Sequence, residues 1–234
     1  MVITKLVLLP GMDGTGELFE AFLSNFDGDY IVIPLPQSGS QDHAFLANII
    51  KEQLPTQDYI LLAESFSGGI IPELLKKSHP HMKGVIFIAS FLSSPNQFLL
   101  SIAKLLPIKT LASATLSTIF HKFFFFGQGV SKEFLSKFIT VTKSIPDLVL
   151  KSRLEVMSQQ RIPTTTSDKP SVYIQACSDR LISSQKSGEF IKVFTNIKYI
   201  KIEGPHFILQ AQPKESARLI TEAISLILKD SRNL

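Results

Sequence analysis

Six short runs rich in apolar residues, most of them followed by a helical pattern, constrain this chain more than any other feature. They are residues 5–9, Tyr30 to Leu35, Tyr59 to Leu62, Gly84 to Ala89, Ser171 to Ala176 and Ile197 to Ile202. Short apolar runs bounded by turn residues, such as Pro10-Gly11 after the first, look like strands buried on both faces. Helical spacing follows in Leu18, Phe19, Phe22 and Leu23, and in Phe45, Leu46, Ile49 and Ile50 of the stretch 42–54. It returns at Gly69 to Lys77, Ser184 to Phe194 and Phe207 to Lys229. Strands alternating with helices predict an α/β fold, a mainly parallel six-stranded sheet with helices on both faces.

The alternation stops from Ser93 to Gln160, which reads as several helices without a clear strand. This divides the chain into a core, residues 1–92 and 161–234, and a helical lid insertion, residues 93–160. The insertion is apolar, with Phe123-Phe124-Phe125-Phe126 at its centre. It and its border are also basic, with Lys104, Lys109, Lys122, Lys132, Lys137, Lys143, Lys151, Arg153 and Arg161 against Glu133, Asp147 and Glu155. One reading is an amphipathic bundle packed on the sheet with its lysines in water. The other is an apolar acyl-binding wall, with Phe124 and Phe125 bordering the substrate, that also rests transiently on an anionic or lipid surface.

Bulk properties narrow the class. The chain has 234 residues, 44% of them hydrophobic, which suits one domain with an insertion. The single Cys177 excludes an intrachain disulfide and a cysteine-based metal site, and fits a reducing, cytoplasmic setting. The N-terminal residues lack the basic region and cleavage site of a signal peptide and read as the first strand. No apolar stretch approaches the roughly 18–20 residues of a membrane span. The formal charge of +4 is spread over scattered lysines, without the basic stripe of a nucleic-acid binder.

The third run leads into Ala63-Glu64-Ser65-Phe66-Ser67-Gly68-Gly69. A serine between strand and helix, with small residues two positions to each side, has the layout of a nucleophile elbow. Ala63 and Ser67 replace the two usual glycines. A serine hydroxyl needs a base to take its proton, and the base needs a carboxylate to orient it. In this architecture the order is Ser, Asp or Glu, His, each after a strand. Asp179 follows the strand 171–176, and His206 follows the strand 197–202 in Gly204-Pro205-His206-Phe207. Each also has a plain reading as a turn or cap residue; order and placement together select Ser65, Asp179 and His206 as catalytic. His43 precedes the elbow on a helix, His79 and His81 precede the fourth strand, and His121 lies in the insertion.

An oxyanion hole needs backbone N–H donors. The residue after the nucleophile, Phe66, supplies one, and Met12, in the Gly-rich loop Gly11-Met12-Asp13-Gly14-Thr15-Gly16, supplies the other. Asp13 is read as tying that loop together through backbone N–H groups. Glu64 is read as a structural or supporting residue whose side chain points away from the serine hydroxyl.

These segments resemble the α/β-hydrolase superfamily over nearly the full chain. Leu9-Pro10-Gly11-Met12-Asp13-Gly14-Thr15-Gly16, Ala63-Glu64-Ser65-Phe66-Ser67-Gly68, and Gly204-Pro205-His206-Phe207 with Gln210 and Pro213 resemble the loop, elbow and histidine segments of a bacterial subgroup. The first strand here corresponds to the family's third. The resemblance therefore implies six strands in the order 2-1-3-4-5-6. It also implies a Ser-His-Asp hydrolase with no metal or organic cofactor. The expected substrate is a small-molecule carboxylic ester or thioester with an apolar acyl chain. Two alternatives stay open: an acyltransferase, because plant phytyl-ester synthases of the superfamily carry a similar Gly-rich loop, and a binding module without catalysis.

Overall fold

The computed structural model of the protein describes residues 4–95 and 130–231. Phe124 and Phe125 lie outside the described residues. The six expected strands are β1 (Lys5–Leu9), β2 (Tyr30–Val32), β3 (Tyr59–Glu64), β4 (Met82–Ile88), β5 (Ser171–Ala176) and β6 (Ile197–Ile202). They form one sheet in the order β2-β1-β3-β4-β5-β6, parallel throughout. The order reverses between β1 and β3, and a ligand of an open α/β sheet binds beyond the carboxyl ends of the strands at such a switch point.

Side chains alternate across each strand, so each strand feeds two cores. On one face Val7, Leu9, Leu61 and Ala63 pack with Leu46, Ile50, Ile70 and Leu74. These last come from α2 (His43–Lys51) and α3 (Ile70–Leu74). On the other face Leu6, Leu8, Ile60 and Leu62 meet Phe22, Leu219, Ile220, Ala223 and Ile227. Those helices are α1 (Glu20–Leu23) and α8 (Pro213–Asp230). Both faces of the sheet are thus sealed, which is why β1 and β3 carry almost no polar side chains. The remaining helices of the core are α6 (Ser184–Gly188) and α7 (Ile208–Ala211).

The helices expected over 42–54, 69–77 and 184–194 are shorter, at His43–Lys51, Ile70–Leu74 and Ser184–Gly188. β2 and the last helix are also shorter than the sequence predicts, and proline explains these two. β2 ends at Val32 rather than Leu35. Ile33 N–H still reaches Leu8 O at 3.0 Å, but Pro34 has no N–H to continue the ladder. The last helix is split into α7 and α8 at Gln212, which sits at φ −135° before Pro213. A residue preceding proline is pushed out of the helical region, and proline then suits the first turn of the next helix.

Between β4 and β5 the described residues hold α4 (Lys132–Ser144) and α5 (Asp147–Gln159). Ser131 caps α4 by accepting from Phe134 N–H at 3.1 Å. Phe138 and Val141 of α4 pack on Leu18 and Phe207, beside the ends of β1 and β6. Val149 and Leu150 of α5, with Ile145, pack on Met12. Lys137 also pairs with Glu20 of α1. Among the described residues, no helix is long and apolar enough to cross a membrane.

Candidate active site

Ser65 follows β3 directly and begins a 3₁₀ turn, Ser65–Gly69, that runs into α3. Its φ is +49°, a left-handed conformation uncommon for a residue other than glycine. The turn is held in place by its small neighbours. Ser67 is buried and donates its hydroxyl to Pro10 O at 2.5 Å, tying the elbow to the end of β1. Gly69 backs onto α2, where a Cβ would stand 2.2 Å from His43 Cε1. Phe66, second in the turn, has an N–H that no residue of the turn accepts.

Asp179 lies three residues beyond β5. Its Oδ1 accepts from Leu181 N–H at 2.8 Å and Ile182 N–H at 2.9 Å, which orients the carboxylate. Its Oδ2 lies 2.8 Å from His206 Nδ1, and His206 Nε2 lies 3.1 Å from Ser65 Oγ. The three residues selected from the sequence are therefore joined in one hydrogen-bonded chain. The His206 and Asp179 side chains are only 6% and 4% exposed. A proton on Nδ1 facing the carboxylate leaves Nε2 to accept from the serine hydroxyl. Burial works against a charged His206 ring, but the charge and hydrogen bond of Asp179, with the charge of Glu64, outweigh it. The imidazole is left more basic than usual.

The Gly11–Gly16 loop lies against the serine: a Cβ on Gly11 would stand 3.6 Å from Ser65 Cβ. Asp13 Oδ2 accepts from Thr15 N–H at 2.9 Å and Thr15 Oγ1 at 2.7 Å, closing a local turn. Gly14 N–H donates to Gly11 O at 3.1 Å. The Met12 N–H has no acceptor among the described residues.

Glu64 is buried at the junction of three segments. Gln210 Nε2 donates to its Oε1 at 3.0 Å, and Gly11 lies against the same carboxylate, a Cβ there standing 3.5 Å from Oε2. Burial raises its pKa to about 7, with Gln210 and Gly11 opposing and the Asp13 charge adding to the rise. His43 is also buried, its ring 4.9 Å from that of Phe66, and burial pushes its pKa down to about 4. It is a neutral packing partner beneath the elbow. His79 and His81 lie at the amino end of β4, against Leu74 O at 3.0 Å and Asp58 at 3.6 Å. Among the described residues, no three His, Cys, Asp or Glu side chains converge as metal ligands. Open depressions of about 620 and 530 Å³ lie beside Ser158–Arg161 and beside His79, and neither is lined by Ser65 or His206.

Sequence reasoning missed Arg153. The sequence places it only among the insertion's basic residues, yet it is fully buried and reaches Met12. The available signal was its place on the apolar stripe Val149, Leu150, Leu154 of α5.

No protein-family model matches the chain, and no curated protein matches it by sequence. Solved structures do. An esterase from Exiguobacterium antarcticum superposes with a TM-score of 0.81 at 13% identity, over 95% of this chain and 92% of that one. MGS-M2, an α/β hydrolase enzyme from a Medee basin deep-sea metagenome library, gives 0.75 at 13% identity over 95% and 89%. YbtT, a type II thioesterase of the yersiniabactin biosynthetic pathway, gives 0.70 at 14% identity over 97% and 94%. The chain has the α/β-hydrolase fold.

Proposed function

We propose that the protein is a serine hydrolase acting on a carboxylic ester or thioester, with Ser65 as nucleophile, His206 as general base and Asp179 as its orienting partner. The observation that carries this reading is the hydrogen-bonded chain from Asp179 through His206 to Ser65, with the serine at positive φ after β3. The esterase and thioesterase among the proteins of like fold agree with it.

In this reading, His206 Nε2 takes the Ser65 proton as Oγ attacks the substrate carbonyl. The imidazolium that forms is stabilised by the Asp179 carboxylate. The N–H groups of Met12 and Phe66 receive the developing oxyanion, a contribution that in other enzymes amounts to about 10²–10³-fold per donor. His206 then protonates the leaving alcohol or thiol. Water, deprotonated by the same ring, releases the acid and regenerates Ser65. No metal or organic cofactor enters the sequence of steps.

Residues 93–160 are assigned as a lid over a core of residues 1–92 and 161–234. Apolar packing of α4 on Phe207 and of α5 on Met12 supports an acyl site walled by the insertion, and so an apolar acyl group. The test is hydrolysis of p-nitrophenyl esters from acetyl to palmitoyl. Turnover by the wild type and its loss in Ser65→Ala support the assignment, and equal turnover in both contradicts it.

A further inference from the structure

Arg153 is the largest fully buried side chain among the described residues, at 0% exposure. Burying a guanidinium is costly unless its N–H groups find partners. Here Nε donates to Gln41 Oε1 at 2.9 Å, Nη1 to Met12 O at 2.8 Å and Nη2 to Pro36 O at 2.9 Å. Burial lowers its pKa to about 10 and the Asp13 charge opposes that, so the group is still a cation at neutral pH. A leucine or methionine at this point of the α5 stripe would fill the space without any desolvation cost. The charge therefore needs a further explanation, and its three acceptors supply one.

Those acceptors belong to the loops flanking the proposed oxyanion hole. Three successive carbonyls there are held by donors: Met12 O by Arg153, Asp13 O by Gln37 Nε2 at 3.3 Å and Gly14 O by Leu35 N–H at 2.7 Å. Of these three ties, only the one at Met12 comes from the insertion. Holding the Met12 carbonyl fixes the peptide plane that follows the Met12 N–H, and so limits how that N–H can turn. Gly14 leaves room for this contact. At φ +70°, a Cβ there would stand 2.4 Å from Arg153 Nη1.

We propose that Arg153 is a positioning residue for the oxyanion loop, coupling the seating of α5 to the direction of the Met12 N–H. The inference rests on the reading of Ser65 as nucleophile and Met12 as oxyanion donor. Arg153 touches no reacting atom in this scheme. It acts through Met12.

The experiment compares Arg153→Met and Arg153→Lys with the wild type on one p-nitrophenyl ester and on its thionoester, in which sulfur replaces the carbonyl oxygen. Sulfur accepts hydrogen bonds weakly, so a thionoester gains little from oxyanion donors. The expected result for Arg153→Met is a kcat on the ester lowered roughly 10–100-fold, less than deletion of a donor. KM should be unchanged, and the ester-to-thionoester rate ratio should fall toward one. Arg153→Lys keeps a cation with a single donor nitrogen and should recover part of the ratio; if the Met variant does not fold, the Lys variant decides by the same ratio. A folded Arg153 variant with the wild-type ratio overturns the inference. Ser65→Ala is run beside them. If it retains turnover, the underlying reading fails. If it is inactive while the Arg153 variants keep the wild-type ratio, the inference alone fails.

Discussion

Gln210 Nε2 donates to Glu64 Oε1 at 3.0 Å, so the residue before the elbow serine is gripped by the helix that follows His206. Gly11 lies against the same carboxylate, so one buried side chain sits where the ends of β1 and β3 meet the helix that follows β6. Its position has a thermodynamic consequence. The folded-state pKa, about 7, lies above the ordinary glutamate value of 4.5, so the native state holds this proton more tightly than the unfolded chain. The resulting stabilisation is complete below pH 4.5 and is lost as pH rises to about 7. At about 1.36 kcal/mol per pH unit it amounts to about 3 kcal/mol. Glu64→Gln removes the titration. Gln210 Oε1, buried and without a partner, becomes available to the new amide once the Gln210 side chain turns over. Thermal melts from pH 5 to pH 8 should show the variant gaining on the wild type as pH rises. A constant difference between the two across that range contradicts the assignment.

The same substitution should move the activity profile. His206 is more basic than usual, partly through the Glu64 charge. A general base must be neutral, so kcat/KM rises with pH through the His206 titration. Removing a nearby negative charge makes the imidazolium easier to deprotonate. The acidic limb of the Glu64→Gln profile should therefore lie at lower pH than that of the wild type. Displacement toward higher pH argues against this electrostatic coupling.

Asp179→Asn should separate activity from stability. The asparagine carbonyl can keep the bonds from Leu181 and Ile182 N–H that Asp179 Oδ1 now accepts. Its amide then faces His206 Nδ1 as a donor. The ring is forced to carry its proton on Nε2, facing Ser65, which is the wrong tautomer for a base. A loss in kcat of roughly 10³–10⁴-fold is expected, with the melting temperature little changed. Full activity in the variant removes Asp179 from the scheme.

Ser67 has a different part. Its hydroxyl is buried on Pro10 O at 2.5 Å. Ser67→Ala leaves that carbonyl without its partner, at a cost of about 1–3 kcal/mol. Chemical denaturation should show a lower midpoint with an unchanged slope. An unchanged midpoint means the carbonyl finds a substitute.

The sheet was legible in the sequence because its four inner strands, β1, β3, β4 and β5, are buried on both faces, which gives apolar runs too short for helices of this size. All six were found, and the resemblance supplied their order. Two of the endpoints that differ, at Val32 and at Gln212, are set by single prolines acting on the ladder and on the preceding residue. For the site, chain order singled out Ser65, Asp179 and His206, and the fold brings them into hydrogen-bond contact. Arg153 was obscured for a physical reason. A charged residue on a helix is ordinarily solvated, and the partners that make its burial tolerable are Met12, Pro36 and Gln41, more than a hundred residues earlier. Gln210 was noted in the resemblance without a role, because its partner Glu64 lies on another strand's end.

The central claim, that Ser65 is the nucleophile, is tested most directly by intact-mass spectrometry after exposure to a fluorophosphonate. One adduct is expected on the wild type, mapped to the peptide containing Ser65, absent from Ser65→Ala and formed much more slowly on Asp179→Asn. Labelling of Ser65→Ala at the wild-type rate, or none of the folded wild type, contradicts it.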